Sequence, residues 1–440
     1  MGTVELIYTI ITTTLAVLCY YRDFYTIFGF VMPKKKYPEA KNFHKFGIII
    51  SARNECRVIG KLVESLKKQE YPSELITVFV IADNCTDNTA EVARNAGAVV
   101  YERFDNKNIG KGHALSWFHK ILFSQYVDEE GNSIFDAFMI FDADNLVSKN
   151  YVHEMNKVLD AGYKVCRGYF NTKNFNDNWF SASYGIHFYR SNMQLHRSRN
   201  WLGLSTTING PGYYFTSDLI KEGWPTSTIT EDIDLSMTFV KKGIRIAFCE
   251  DAEFYDEQPT KIRQGLRQRL RWAKGYLQNF KKHFLGLLGN MFKFKKGYSN
   301  CLSSYDMAIQ IFPRGLISFI LRYIFKFLLI LGVVIGFVEN TILALLISWG
   351  ISILKSWAGA ILQAFAVMIR EHKHIKTTFF RAIWYAFMFP TFDRLWKWSC
   401  LIALFKKVEW KPIEHKISLD IDEVSNNTKV EVIDEEKSSE

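Results

Sequence analysis

No C-x-x-C pair occurs in the 440-residue chain, and its seven cysteines (Cys19, Cys56, Cys85, Cys166, Cys249, Cys301 and Cys400) are scattered. An odd, dispersed set argues against a disulfide framework and against a structural zinc site. The soluble part is therefore expected in a reducing cytoplasm, with Cys85 a small thiol beside a turn. No Lys or Arg precedes Arg22, Glu5 stands near the start, and no A-x-A follows the apolar run Val4 to Tyr21. Those absences argue against a cleaved secretory signal. The run is long enough for a bilayer core of about 30 Å, so residues 1–32 read as a retained transmembrane anchor. No recognised nucleic-acid module accompanies the net charge of +10, so nucleic acid is not an expected partner. The cations cluster beside apolar stretches, as in Lys34-Lys35-Lys36, which predicts the inner face of a membrane.

What is present is unevenly spread. Residues 43–260 read as a mixed α/β domain, whereas 305–405 are dominated by Leu, Ile, Phe and Trp. Two spans are predicted in the latter, roughly Gly315 to Val338 and Thr341 to Ile369. The loop between them, Glu339-Asn340, has no cation and suits the outside, while Arg370 to Lys376 suits the inside. Arg322, Lys326 and Lys355 fall within the spans. A charge there must face protein, water or a polar ligand, or else snorkel to the interface; both readings stay open. Phe379 to Phe405 contains Pro390 and Asp393 and is expected as broken interfacial or re-entrant pieces. The tail 417–440 is acidic and polar and is expected to be disordered.

Four polar islands punctuate the chain: Ile81-Ala-Asp83-Asn84, Phe141-Asp142-Ala-Asp144, Thr230-Glu231-Asp232 and Gln268-Arg269-Leu-Arg271-Trp272. The first two close short β-rich runs, Ile76–Ile81 and Phe138–Phe141, and Ser51-Ala52-Arg53-Asn54-Glu55 closes a third, Phe46–Ile50. Helical periodicity over Cys56–Lys68 between strands implies a parallel sheet, whose ligands gather beyond the strand ends. A carboxylate pair there can grip a hard divalent cation with its diphosphate, although a D-x-D also makes a plain strand-end turn. Asp83 reads equally as an Asx-turn. Gly110-Lys111-Gly112 offers flexible backbone and a cation to a phosphate. Thr230-Glu231-Asp232 precedes a helix-like segment and can act as an N-cap that also fixes a carboxylate's direction. Gln258 to Phe284 reads as an amphipathic helix with Leu266, Leu270, Ala273 and Leu277 as its apolar stripe, within an interfacial region 261–300. Trp272 beside Arg271 suits a stacked sugar and a clamped phosphate.

In this order the islands resemble the processive, inverting family 2 glycosyltransferases, such as cellulose, hyaluronan and chitin synthases. The resemblance covers about Phe46 to Phe284. It implies an α/β, Rossmann-like GT-A domain, cytosolic and embedded in an α-helical transmembrane protein, multi-pass in the plasma membrane. It implies Mg²⁺ or Mn²⁺ on Asp144 and Asp142, and a UDP-sugar donor on Ala52, Arg53, Glu55, Asp83, Lys111, Asp142, Arg269 and Arg271. Asp232 becomes the catalytic base, with the polysaccharide acceptor on Asn209, Gly210, Gln268 and Trp272. The family often has an aromatic residue where this chain has Arg53. The implied product is a β-glucan from UDP-glucose, with a GlcNAc-containing polymer or sugar transfer to a lipid carrier as alternatives. Residues 305–405 would form the channel and 406–416 a gating segment. Accessory export or regulatory proteins complete the implied partners.

Overall fold

The computed structural model describes residues 2–224, 228–336, 342–375, 377–406, 408 and 419–426. Two helices, α1 (Gly2–Cys19) and α2 (Tyr21–Val31), precede the α/β domain. The expected single anchor is thus divided at Tyr20, and the stacked rings of Tyr8 and Phe325 hold α1 against a later helix.

The domain runs β1 (Phe46–Ala52), α3 (Ile59–Lys67), β2 (Ile76–Asp83), α4 (Thr89–Asn95), β3 (Val99–Arg103), α5 (Lys111–Gln125), β4 (Ala137–Asp142) and β5 (Leu146–Val147). It continues through α6 (Tyr151–Asp160), β6 (Val165–Thr172), α7 (Trp179–Arg190), a π-helical turn (Ser191–Arg197), α8 (Ser198–Trp201), β7 (Tyr213–Thr216), α9 (Glu231–Lys242) and β8 (Ile246–Asp256). The eight strands form one sheet in the order β3-β2-β1-β4-β7-β6-β8-β5. Strands β3, β2, β1 and β4 are parallel, as the alternation of elements predicts. Beyond them the expected parallel sheet is corrected to a mixed one. β7 is antiparallel to both neighbours, and β5 to β8. The chain reaches β7 from the carboxyl edge of β4, where Gly212 N–H bonds the Ile140 carbonyl, so this strand must run back from that edge. The reversal brings residues 209–212 beside Asp142.

β1 is buried on both faces, which explains its unbroken apolar run. Ile48 and Ile50 pack with Leu62 and Leu66 of α3, while Ile49 packs with Phe79 and with Phe118 of α5.

After the sheet come α10 (Ile262–Asn290), α11 (Tyr298–Ile311), α12 (Arg314–Val334), α13 (Ile342–Arg370), α14 (Phe379–Phe405) and α15 (Ile421–Asn426). Among the described residues two helices are long and apolar enough to cross a membrane, Arg314–Val334 and Leu346–Arg370. Three expectations are corrected here. First, α14 is one helix through Pro390. Phe389, Pro390 and Phe392 are buried against α7, the Tyr184 and Phe392 rings lie 4.8 Å apart, and that packing offsets the lost backbone bond. Second, Leu266 leaves the expected stripe of α10 and is exposed, whereas Ala273 is buried with Leu270 and Leu277 packed beside it, and Gly265, Arg269, Gly275, Asn279, His283, Leu287 and Asn290 are buried as well. Third, the described start of the tail is ordered. Ile421 is buried, Asp420 pairs with Lys68 at 3.2 Å, and Asp422 pairs with Lys149 at 2.7 Å. The expected gating segment 406–416 lies outside the described residues apart from 406 and 408, as does the tail beyond 426.

The helical part is tied to the domain by buried ions. Asp306 of α11 accepts from Arg199 of α8 at 2.7 Å and Arg22 of α2 at 2.9 Å. Burial alone would raise its pKa, but the two guanidiniums hold it well below the carboxylate range. Glu371, after α13, and Glu250 of β8 share Arg197 at 3.0 and 2.6 Å.

Candidate active site

Two strand exits turn sharply through asparagines in the left-handed region, Asn54 (φ 58°) and Asn84 (φ 53°). Asparagine tolerates that conformation by bonding locally. Here the Asn54 side chain accepts from Thr86 N–H at 2.8 Å, and Asn84 accepts from Asp105 N–H at 2.8 Å. Ala52 is buried at the end of β1 and Arg53 stands half-buried after it. Asp83 is buried at the end of β2, where it accepts from Arg103 Nη1 at 2.5 Å and from Asn84. The Asx-turn reading of Asp83 gives way to a buried ion pair. Arg103 also bonds Asp105 and the Asn108 carbonyl, so one cation organises the outer rim. The Cys85 thiol leans on the Ala52 carbonyl, and burial raises its pKa, which leaves it an inert thiol.

Lys111 opens α5 and reaches back to Asp142 at 2.5 Å and Glu231 at 3.7 Å. Burial opposes its charge, but Asp142 and Glu231 overcome that and hold its pKa above the usual lysine value. Asp232 lies in the first turn of α9. Its two oxygens accept from Gly210 N–H at 2.5 Å and Ile233 N–H at 2.9 Å, so the carboxylate has one direction. Burial pushes the Asp232 pKa up, the two N–H groups and Lys111 pull it down, and Asp142 adds to the rise. Burial also raises Glu231. The expected cap at Thr230 is corrected: its side chain does not cap α9. Its hydroxyl instead accepts from Asn279 of α10 at 2.9 Å, and a Cβ on Gly275 would stand 2.3 Å from it. The fourth island's helix therefore rests directly on the third island.

Asp144 is buried beside Asp256, at the end of β8. Asp256 accepts from Asn145 at 2.7 Å and Gln258 at 2.9 Å. Burial, then Asp144 and Asp142, push its pKa well above the carboxylate range. Two carboxyls that repel this strongly, with acceptor oxygens facing one another, fit a hard divalent cation. No group of three or more ligating side chains converges among the described residues. Lys173 binds the Asp144 carbonyl, and the fields of Asp144, Asp256 and Glu55 all reach its ammonium. Asp142, expected as a second metal ligand, pairs with Lys111, and its field together with that of Asp144 reaches Asp256.

On the acceptor side Gly210 (φ 75°) and Gly212 (φ 72°) shape the loop, and a Cβ on Gly212 would meet the Phe254 ring at 2.3 Å. Phe254 packs on Phe170 at 5.0 Å, Phe170 stacks on Phe188 at 3.9 Å, and Phe188 meets Trp272 edge-on at 6.2 Å. Buried ring packing thus connects the half-buried Trp272 to the loop that Asp232 holds, with Phe170 and Phe254 in the core. Asn209 Oδ1 and Gln268 Oε1 are buried with no hydrogen-bond partner, so two acceptors stay open to a polyhydroxyl ligand. Arg269, expected on the diphosphate, lies against α14. It is buried, donates to the Phe392 carbonyl at 2.5 Å and stacks on the Phe392 ring at 3.6 Å, anchoring α10 to α14. Arg271, two residues on, remains half-buried beside the site.

The sequence reading missed Glu231 as a partner of Lys111, Arg103 as a partner of Asp83, and Asp256 and Lys173 altogether. It also missed Arg167, buried on β6, whose Nη1 donates to His196 Nε2 at 2.8 Å and whose charge is felt at Asp232. Glu231 had a signal, since it adjoins Asp232; the others lie in stretches without a motif.

This sheet, with its carboxylates at the strand ends, defines a glycosyltransferase of the GT-A fold. A family model described as "Glycosyltransferase like family 2" matches residues 44–275, more than half of the chain, and the chain belongs to that family. The probable glycosyltransferase YdaM of Bacillus subtilis (strain 168) is 24% identical over 246 residues, 53% of this chain and 56% of its own. The beta-monoglucosyldiacylglycerol synthase of Nostoc sp. (strain PCC 7120) is 26% identical over 272 residues, 60% of this chain and 55% of its own. The matches span little more than half the length of these relatives. The mannosyltransferase PcManGT of Pyrobaculum calidifontis, solved with GDP-Man and Mn²⁺, has a TM-score of 0.53 at 16% identity, covering 84% of this chain and 97% of its own. That likeness is one of fold.

Proposed function

We propose that the chain transfers hexosyl units from a UDP-sugar, UDP-glucose first, to the growing end of a β-linked polysaccharide. The reaction takes place at the cytoplasmic face of the plasma membrane, and the apolar helices lead the product outward. The observation that carries this reading is the Asp232 carboxylate, fixed by the N–H groups of Gly210 and Ile233, with the half-buried Trp272 on the helix that rests on Thr230. An indole face suits a stacked sugar.

In the reaction Asp232 accepts the proton of the acceptor hydroxyl as that oxygen attacks the anomeric carbon from the face opposite the leaving group. One displacement inverts the linkage, so an α-linked donor gives a β-linked product. Lys111 releases Asp142 to meet the diphosphate and, with Arg271, balances the negative charge that develops there. Asp83 and Arg53 hold the base, and Glu55 lies at the rim. Mg²⁺ or Mn²⁺, held by Asp144 with Asp256 or Asp142, would supply Lewis-acid neutralisation of the departing nucleotide.

The test is to supply membranes containing the full chain with single UDP-sugars and either cation, then digest the product with linkage-specific glycosidases. A high-molecular-weight product cleaved by a β-glucanase supports the reading; cleavage only by a chitinase or hyaluronidase replaces the glucan with a GlcNAc-containing polymer. Transfer of one sugar to a lipid is the second reading, favoured by the likeness to the Nostoc synthase. A chloroform-soluble labelled product would establish it instead.

A further inference from the structure

Two consecutive residues of β6 hold both ends of the loop that carries Gly210. On the exit side Gly168 N–H donates to the Gly212 carbonyl at 2.8 Å. On the entry side Arg167 Nη1 reaches the Thr207 carbonyl at 3.5 Å and His196 Nε2 at 2.8 Å, while Nε donates to the Gly168 carbonyl at 3.1 Å. Gly168 has no room for a side chain, since a Cβ there would stand 2.6 Å from the Ala252 carbonyl oxygen. The register between β6 and β8 also shifts between Gly168 and Tyr169. Close approach to the loop is thus built into this strand.

A guanidinium only donates, so His196 Nε2 accepts, its proton stands on Nδ1, and Nδ1–H donates to Thr206 Oγ1. Burial, then the charges of Arg167 and Arg199, push the His196 pKa well below the ordinary imidazole range, which keeps the ring neutral. Thr206 N–H bonds the Ile246 carbonyl at 2.9 Å, and Ile208 N–H bonds Ser236 Oγ at 2.8 Å, one turn after Asp232 on α9. The chain Arg167–His196–Thr206 therefore fixes the backbone that enters Asn209-Gly210, and Gly210 N–H in turn fixes Asp232.

Arg167 itself is a weak source of stability. It is buried, and among the described residues no carboxylate bonds it. Burial lowers its pKa to about 10, and Asp232 is the carboxylate whose field reaches it. A strut for the core alone needs no charge, since apolar residues of that volume pack without the desolvation cost. The winding of the chain agrees with a role in the reaction. His196 lies in the π-helical turn Ser191–Arg197, and such turns are frequent at functional sites.

We infer that Arg167 is a positioning residue for sugar transfer: with His196 and Thr206 it holds the 207–212 loop so that Gly210 keeps the Asp232 carboxylate aimed at the acceptor hydroxyl. The inference rests on Asp232 as the base and on this loop as the acceptor side, and is independent of which sugar is transferred.

The test uses the purified full chain in detergent with labelled UDP-glucose, or UDP-GlcNAc where the product is chitinase-sensitive. It reads UDP release, the donor KM, and the share of sugar that passes to water in place of the acceptor. Arg167→Met should lower kcat for transfer about a hundredfold, the effect of a displacement of about 1 Å at the reacting groups. The donor KM should stay unchanged, and a larger share of sugar should be lost to water. Arg167→Lys, which restores a cationic donor, should recover roughly tenfold of that loss. Thr206→Val removes only the hydroxyl that His196 donates to. It should lower kcat roughly tenfold and shift the same partition at an unchanged melting temperature, and it carries the test where Arg167→Met does not fold. A lower melting temperature with kcat and partition unchanged in these variants would make Arg167 a purely structural residue and overturn the inference. A raised donor KM with kcat intact would overturn it as well, by placing the network on the donor side. The two readings fail separately: an Asp232→Asn variant with wild-type kcat removes the base, whereas an inactive Asp232→Asn beside unimpaired Arg167 and Thr206 variants removes the positioning role alone.

Discussion

Replacing Asp232 with Asn should separate activity from stability. The carboxylate is the group placed to take the acceptor proton, and Asn cannot accept one. Loss of a positioned base costs about a hundred- to ten-thousandfold in kcat, or about 3 to 5 kcal/mol of barrier. The fold should scarcely notice. Burial raises the folded pKa of Asp232, so its favourable contribution to stability is complete below the unfolded pKa and is lost as pH rises through the folded one. At neutral pH the ionised group therefore weakens the native state, and Asn removes that penalty. Against this, the N–H groups of Gly210 and Ile233 now share one acceptor oxygen in place of two, which costs about 1 kcal/mol. The terms oppose each other, and the unfolding free energy should change by no more than about 1 kcal/mol. The assays are UDP release under saturating donor and thermal unfolding in the same detergent, with the KM for the donor as control. Unchanged kcat would refute the assignment of the base, and a large fall in stability would refute the account of its burial.

Lys111→Met should move the acid limb of the kcat profile to higher pH, because the ammonium holds down the pKa values of both Asp232 and Glu231; a limb that stays in place would dissociate Lys111 from the base. Arg269→Gln should lower the melting temperature while leaving the KM for the UDP-sugar unchanged, whereas Arg271→Gln should raise that KM, since only the former is buried against Phe392. Asp256→Asn should demand roughly ten- to a hundredfold more Mn²⁺ for half-maximal activity, read by metal titration at fixed donor. Asp306→Asn strands the buried guanidinium of Arg199 and the part-buried one of Arg22 and should cost about 3 to 5 kcal/mol, measured by denaturation of the full chain.

Much of this architecture is local chemistry and could be read along the chain. Unbroken apolar runs such as Phe46–Ile50 mark strands buried on both faces, and the polar residues that end them mark the edge where ligands gather. Asp83, Asp142 and Asp144 were visible for that reason, Asp232 as part of an acidic island opening a helix-like segment, and the two apolar helices through their composition. Arg269 was not, because a guanidinium in a basic helix looks the same whether it meets phosphate or a neighbouring carbonyl. Only the approach of α14 assigns it to Phe392. Pro390 likewise signals a break by itself, and the packing of Phe389 and Phe392 overrides it. Asp256 and Arg103 carry no motif, since their partners lie far away in sequence and meet them through strand order. The islands and their chemical types thus belong to the chain itself. Their pairing belongs to the folded molecule, because charge and hydrogen-bond partners are set by distance in space, which neither composition nor periodicity records.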